Sequence, residues 1–98
     1  MITGFMLAAK PYEVEYTEHD SDNLGQAKNP LLKVQIQTKW AGKEVPEISQ
    51  EQTLYHEVVH CILDEIGRSG LNSDEEFVQS FSNLMHQFVK TKVHAERA

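Results

Sequence analysis

The amino-acid sequence predicts a one-domain α+β fold, a short antiparallel sheet of two or three strands packed on two helices. Three observations lead there. Tyr12, Val14 and Tyr16 alternate with Glu13 and Glu15, the period-two pattern of a half-buried strand. Leu32, Val34, Ile36 and Thr38 alternate in the same way with Lys33, Gln35, Gln37 and Lys39. Beyond Pro46 the chain changes to helical spacing and carries helix start and stop signals. At 98 residues it has room for a single domain, residues 1–98, whose core is small enough for a bound metal to add materially to stability.

Taken in order, the apolar opening ITGFMLAA is too short to span a membrane, and no basic residue precedes it. Residues 1–10 are therefore expected to form a strand or packed arm, closed by Pro11. The run from Glu18 to Pro30 is rich in Asp, Asn, Ser and Gly and predicts a loop. Leu32 to Thr38 is the clearest strand, and lysines on its outer face suit a sheet edge. Trp40 to Pro46 turns the chain. Ser49 followed by Gln52 has the spacing of a capping box and predicts a helix that Gly67 or Gly70 ends. Asn72 or Ser73 is expected to cap a second helix, with Asp74, Glu75 and Glu76 in its first turn. Phe77, Val78, Phe81, Leu84, Met85, Phe88 and Val89 form its apolar stripe, expected to face the core. Residues 90–98 read as a polar tail.

Composition narrows the function. Hydrophobic residues make up 40% of the chain and charged residues 24%, as in an ordinary globular domain. The net charge of -6 disfavours nucleic acid and anionic membrane as partners. A single cysteine, Cys61, excludes an intrachain disulfide, and the expected setting is cytoplasmic.

The segment His56-Glu57-Val58-Val59-His60 carries the chemistry. On a helix, residues four apart project from one face, so His56 and His60 supply two of the ligands that a tetrahedral zinc ion requires. Glu57 is rotated about 100° from His56, close enough to take a proton from water at the metal without ligating it. Val58, Val59, Cys61 and Ile62 around the second histidine are uncharged, which keeps the metal's surroundings dry. Cys61 points about 100° away from His60 and is expected to be a small buried residue.

With these flanks, TLYHEVVHCILDEIG followed by SDEEFV resembles the small HExxH proteins of the ImmA/IrrE-type metallopeptidase group, many of them carried by phages. The resemblance spans roughly the strand at Leu32 through Val89 and is most specific around HEVVH. It implies a minimal zincin, in which a short sheet supports an active-site helix and a following helix donates a glutamate as third zinc ligand.

Four residues are candidates for that ligand. Asp64 continues the four-residue spacing, but one straight helix cannot wrap three ligands around a tetrahedral ion, so Asp64 suits a partner that orients a histidine, or a solvated acid. Glu75 lies roughly 110° from the centre of the apolar stripe and Glu76 roughly 150°, which favours Glu75. His86 sits about 16 Å further along the helix, too far for the same ion. It reads as a boundary histidine or a substrate contact. His19 and His94 fall in polar segments and are expected to be solvated.

The expected function is a zinc-dependent peptidase with zinc on His56, His60 and Glu75, Glu57 as general base, and a protein or peptide substrate held by strand addition on the Leu32 to Thr38 edge. The alternative from another class is an acidic, phage-type protein-binding module that retains a structural or inactive zinc site. A zinc-dependent nuclease of the H-x3-H-x5-H type is a weaker alternative still, because Ile66 occupies its third position.

Overall fold

A computed structural model describes residues 1–18 and 23–95. The element order is β1 (Gly4–Leu7), β2 (Lys10–Thr17), β3 (Gly25–Lys28), a 3-10 turn (Asn29–Leu31), β4 (Lys33–Gln37), β5 (Lys39–Trp40), β6 (Lys43–Glu44), α1 (Glu47–Glu65), α2 (Ser69–Asn72) and α3 (Glu75–Thr91). The described residues form a small α+β fold with a mixed sheet and three α-helices. No helix among the described residues is long and apolar enough to cross a membrane.

The N-terminal arm is a strand. β1 pairs antiparallel with β2 through a two-residue turn, in which Ala8 and Ala9 both take left-handed φ values of 50° and 61°. Pro11 does not end this unit but lies inside β2 opposite Met6, before the pairing with β4 begins at Glu13. The missing amide proton therefore disturbs no ladder on that side.

The main sheet has the order β1-β2-β4-β3, and β2 runs parallel to β4. An all-antiparallel sheet of two or three strands is therefore incorrect. The reason lies in Glu18 to Pro30, read from sequence as loop, which contains β3. One unrecognised strand between two others reverses the chain once more and turns an expected antiparallel pair into a parallel one. β3 pairs antiparallel with β4 and forms the edge, so Leu32 to Thr38 is central rather than an edge. The Trp40 to Pro46 turn holds the small β5–β6 hairpin.

The alternation predicted for β2 and β4 is met from Tyr12 to Val14 and from Lys33 to Ile36, but Gln37, expected on the outer face, is buried. Tyr12, Val14, Val34 and Ile36 are buried against Leu54 and Cys61 of α1. On the opposite face, Glu15 accepts hydrogen bonds from Lys33 and Gln35. α1 begins at Glu47 with Pro46 as its N-cap, three residues before the Ser49 cap of the expected capping box. Proline presets a helix-compatible φ and has no amide proton to leave unpaired. Ser49 lies within the first turn, where its carbonyl accepts from the Thr53 hydroxyl. At the other end Gly67, at φ 72°, gives its amide to the Asp64 carbonyl while Arg68 donates to Leu63, a Schellman closure.

α3 is capped by Asp74, whose carboxylate accepts from the Phe77 amide, and not by Asn72 or Ser73. It packs on α1 through a second small core of Val59, Leu63 and Val78, with Phe77 half-buried beside it. Its buried line is Val78, Ser82 and His86. The expected core-facing stripe is largely outside, since Phe81, Leu84, Met85 and Phe88 are exposed. Ser82 is small enough to let α3 approach α1 closely. His86 is anchored by Glu51 and packs edge-on to Tyr55, with ring centroids 4.9 Å apart.

Candidate metal centre

The helical spacing of α1 sets His56 and His60 one turn apart, their rings edge-to-face with centroids 5.0 Å apart. α2 and the Asp74 cap then bring the start of α3 back over them. Glu75 reaches both. One carboxylate oxygen lies 3.2 Å from His56 Nε2 and the other 3.2 Å from His60 Nε2. One ligand atom from each of the three residues can be chosen so that all lie within 4.8 Å of one another.

This donor set fits a metal ion. Bonds of about 2.0–2.1 Å in a tetrahedral site place neighbouring ligand atoms about 3.3 Å apart, and both observed separations are close to that edge. Both histidines turn Nε2, not Nδ1, toward Glu75. For His60 the reason is visible, because Nδ1 is paired with Asn72 Oδ1. Asn72 Nδ2 in turn donates to Asp64 Oδ1 at 2.6 Å. His56 Nδ1 is buried without a hydrogen-bond partner among the described residues. Among the ligand candidates, Glu76 is exposed on the helix end and outside the group, and Asp64 acts one step removed, through Asn72. The set could therefore hold a metal ion through His56, His60 and Glu75.

Glu57 is buried beside this group. The backbone amide of Ala27 in β3 donates to its carboxylate. Burial raises the pKa of Glu57 above the ordinary carboxylate value; the two imidazoles and the Ala27 amide oppose the rise, and Glu75 adds to it. Gly25 allows β3 to come this close. A Cβ on Gly25 would sit 2.5 Å from Thr53 Cγ2 and 3.3 Å from Glu57 Cγ, so any side chain there would push β3 off α1.

The histidines, Glu57 and Glu75 line an open cleft of about 710 Å³, with α1 as one wall and Leu24 to Ala27 as the other. That volume suits a ligand of peptide size. Gln79 of α3 and Asn72 complete the rim. His86 is not part of the cleft: it is a buried structural residue rather than a boundary or substrate-contacting one. Cys61 is fully buried, and burial first, then the nearby carboxylates, pushes its thiol up to about 12, so it remains a packing residue. His94 is exposed, and His19 lies outside the described residues.

Sequence reasoning missed Gly25, Ala27 and Asn72. A lone glycine in a polar run carries no signal of the strand around it, and Asn72 beside Ser73 resembles a helix cap. The sequence favours Glu75, although on a different geometry. It lies on the same line as Val78, Ser82 and His86, so the rotation of α3 that exposes the apolar stripe is also what turns Glu75 to the histidines.

Compared with models of known protein families, with curated proteins and with solved structures, the chain finds no match.

Proposed function

We propose that this protein is a zinc-dependent peptidase of minimal zincin type, with zinc held by His56, His60 and Glu75. The observation that carries the reading is a three-residue donor set with a buried, non-ligating carboxylate, Glu57, beside it in an open cleft. A purely structural site has no use for that carboxylate. Zinc held by these residues would supply a Lewis acid that acidifies water and polarises a substrate carbonyl.

The chain's own residues supply the rest. Glu57 accepts the proton of the attacking water and returns it to the leaving nitrogen. The Ala27 amide orients the Glu57 carboxylate, and burial makes it a better proton acceptor than an exposed glutamate. Asn72 keeps the His60 proton on Nδ1 and leaves Nε2 for the metal. An extended peptide is held along the outer edge of β3. In this register the bond from the Gln37 amide to the Leu24 carbonyl directs residues 24, 26 and 28 toward β4 and the backbone groups of Gly25 and Ala27 outward. The Ala27 amide goes to Glu57, which leaves Gly25 for substrate pairing.

The test is metal analysis of the purified protein, followed by incubation of wild type and Glu57→Gln with candidate polypeptides. The expected result is about one zinc per chain in both, with zinc-dependent cleavage by wild type only, reduced about 10²- to 10⁴-fold in the variant. Equal capture of an intact partner by both proteins would instead identify a binding module with a structural metal.

A further inference from the structure

The apolar stripe of α3 serves neither the core nor the cleft. Phe77, Phe81, Leu84 and Phe88 follow one another at intervals of 4, 3 and 4 residues, the spacing of a helix-pairing seam. Phe77 is half-buried, whereas Phe81 is 46% exposed, Leu84 67% and Phe88 54%. Met85 of α3 and Ile62 of α1 are exposed as well. By helical projection the stripe lies on the side of α3 turned away from Glu75 and Gln79, so covering it leaves the cleft open.

We infer that this face is the interface of a two-fold homodimer in which α3 pairs antiparallel with α3 of a second copy. The stripe is self-complementary in that direction. Setting Phe77 against Phe88 of the other copy also sets Phe81 against its Leu84, because both pairs are related by one axis midway between positions 82 and 83. A single register therefore closes the whole seam, as an isologous contact requires.

Charge favours the same arrangement. Residues 77–89 contain no Asp, Glu, Lys or Arg, while Asp74 and Glu76 flank the start of the helix and Lys92 its end; Glu75 and Lys90 are turned away, to the histidines and to Glu51. Antiparallel pairing brings each acidic end beside the basic end of the other copy and opposes the helix dipoles; parallel pairing would stack like charges. The exposed apolar side chains amount to on the order of 500 Å² per chain. Covering them twice removes about 1,000 Å², the lower end of a specific interface before its polar rim is added.

Sedimentation equilibrium of the full chain tests this at concentrations up to about 100 µM, where a micromolar dimer is saturated. The expected mass is twice the 11.2 kDa chain, and Leu84→Glu is expected to weaken dimerisation at least about 30-fold while its helical circular dichroism stays unchanged. A wild type that stays monomeric, a Leu84→Glu protein that still dimerises, or one that loses helix would each overturn the inference. A mixture of Phe81→Cys and Leu84→Cys proteins reports direction, since native Cys61 is buried and silent. Preferential disulfide formation between the two variants supports the antiparallel seam; preferential self-linking of each overturns it.

Discussion

Asn72 bridges His60 and Asp64: its carbonyl oxygen accepts the His60 Nδ1 proton while its amide donates to the Asp64 carboxylate. One side chain at the end of the four-residue helix α2 thus decides which nitrogen of a candidate metal ligand is available. Replacing it with alanine is expected to weaken zinc affinity about 10- to 100-fold without unfolding the chain. Competition with a chromophoric chelator measures this. Equal affinities for wild type and Asn72→Ala would remove Asn72 from the site.

Glu75 and Glu76 are neighbours in sequence with opposite fates. Glu75→Ala is expected to abolish tight zinc binding, and Glu76→Ala to leave it within about 2-fold, because only Glu75 faces the two imidazoles. Titration of the metal-free proteins with zinc distinguishes them. Loss of zinc by Glu76→Ala would mean that α3 starts in a different register.

Gly25→Ala is expected to destabilise the fold by about 1–3 kcal/mol, since the added methyl meets the Thr53 side chain at the closest approach of β3 and α1. Chemical denaturation measures it. Thr53→Ser in the same chain removes the opposing methyl and is expected to restore part of the loss. An unaffected Gly25→Ala protein would show that the strand and helix are not in contact there.

Glu51 accepts from Lys90 at 3.0 Å and from His86 at 2.8 Å, and these two partners hold its carboxyl below the usual carboxylate range. A carboxyl depressed in the folded state stabilises the fold above its unfolded pKa, and that stabilisation is lost as pH falls through the folded value. Glu51→Gln is therefore expected to cost about 1 kcal/mol at neutral pH, with the difference from wild type closing toward about pH 3. Thermal unfolding across that range checks it, and a difference independent of pH would contradict the ion pair.

At the β1–β2 turn, Ala8 and Ala9 both occupy left-handed backbone conformations. Replacing the pair with Asn-Gly, which adopts them without Cβ strain, is expected to stabilise the protein by about 1 kcal/mol. A lower midpoint of unfolding would show that the alanine side chains contribute packing that outweighs their strain.

The sequence by itself determined what local spacing can determine. The alternation through Tyr12 to Tyr16 and Val34 to Ile36 specified the buried faces of β2 and β4, because period two leaves each strand only one apolar side. His56, Glu57 and His60 lie within five residues of one helix, so their mutual placement follows from helical geometry alone. The tertiary structure decided whatever depends on a neighbour distant in sequence. β3 is held by hydrogen bonds to β4 and by its approach to α1, and its residues carry no periodic signal, so both its existence and the parallel β2–β4 pairing appear only in the fold. The rotation of α3 followed the same logic. Hydrophobicity alone turns Phe81 and Leu84 inward. Instead, α3 packs on Val59 and Leu63 through Val78, with Ser82 and His86 on the same line, which carries Glu75 to the histidines and leaves the apolar stripe exposed. A sequence pattern states which side chains avoid water, but which of a helix's faces gains a partner depends on the surfaces that the rest of the chain places beside it.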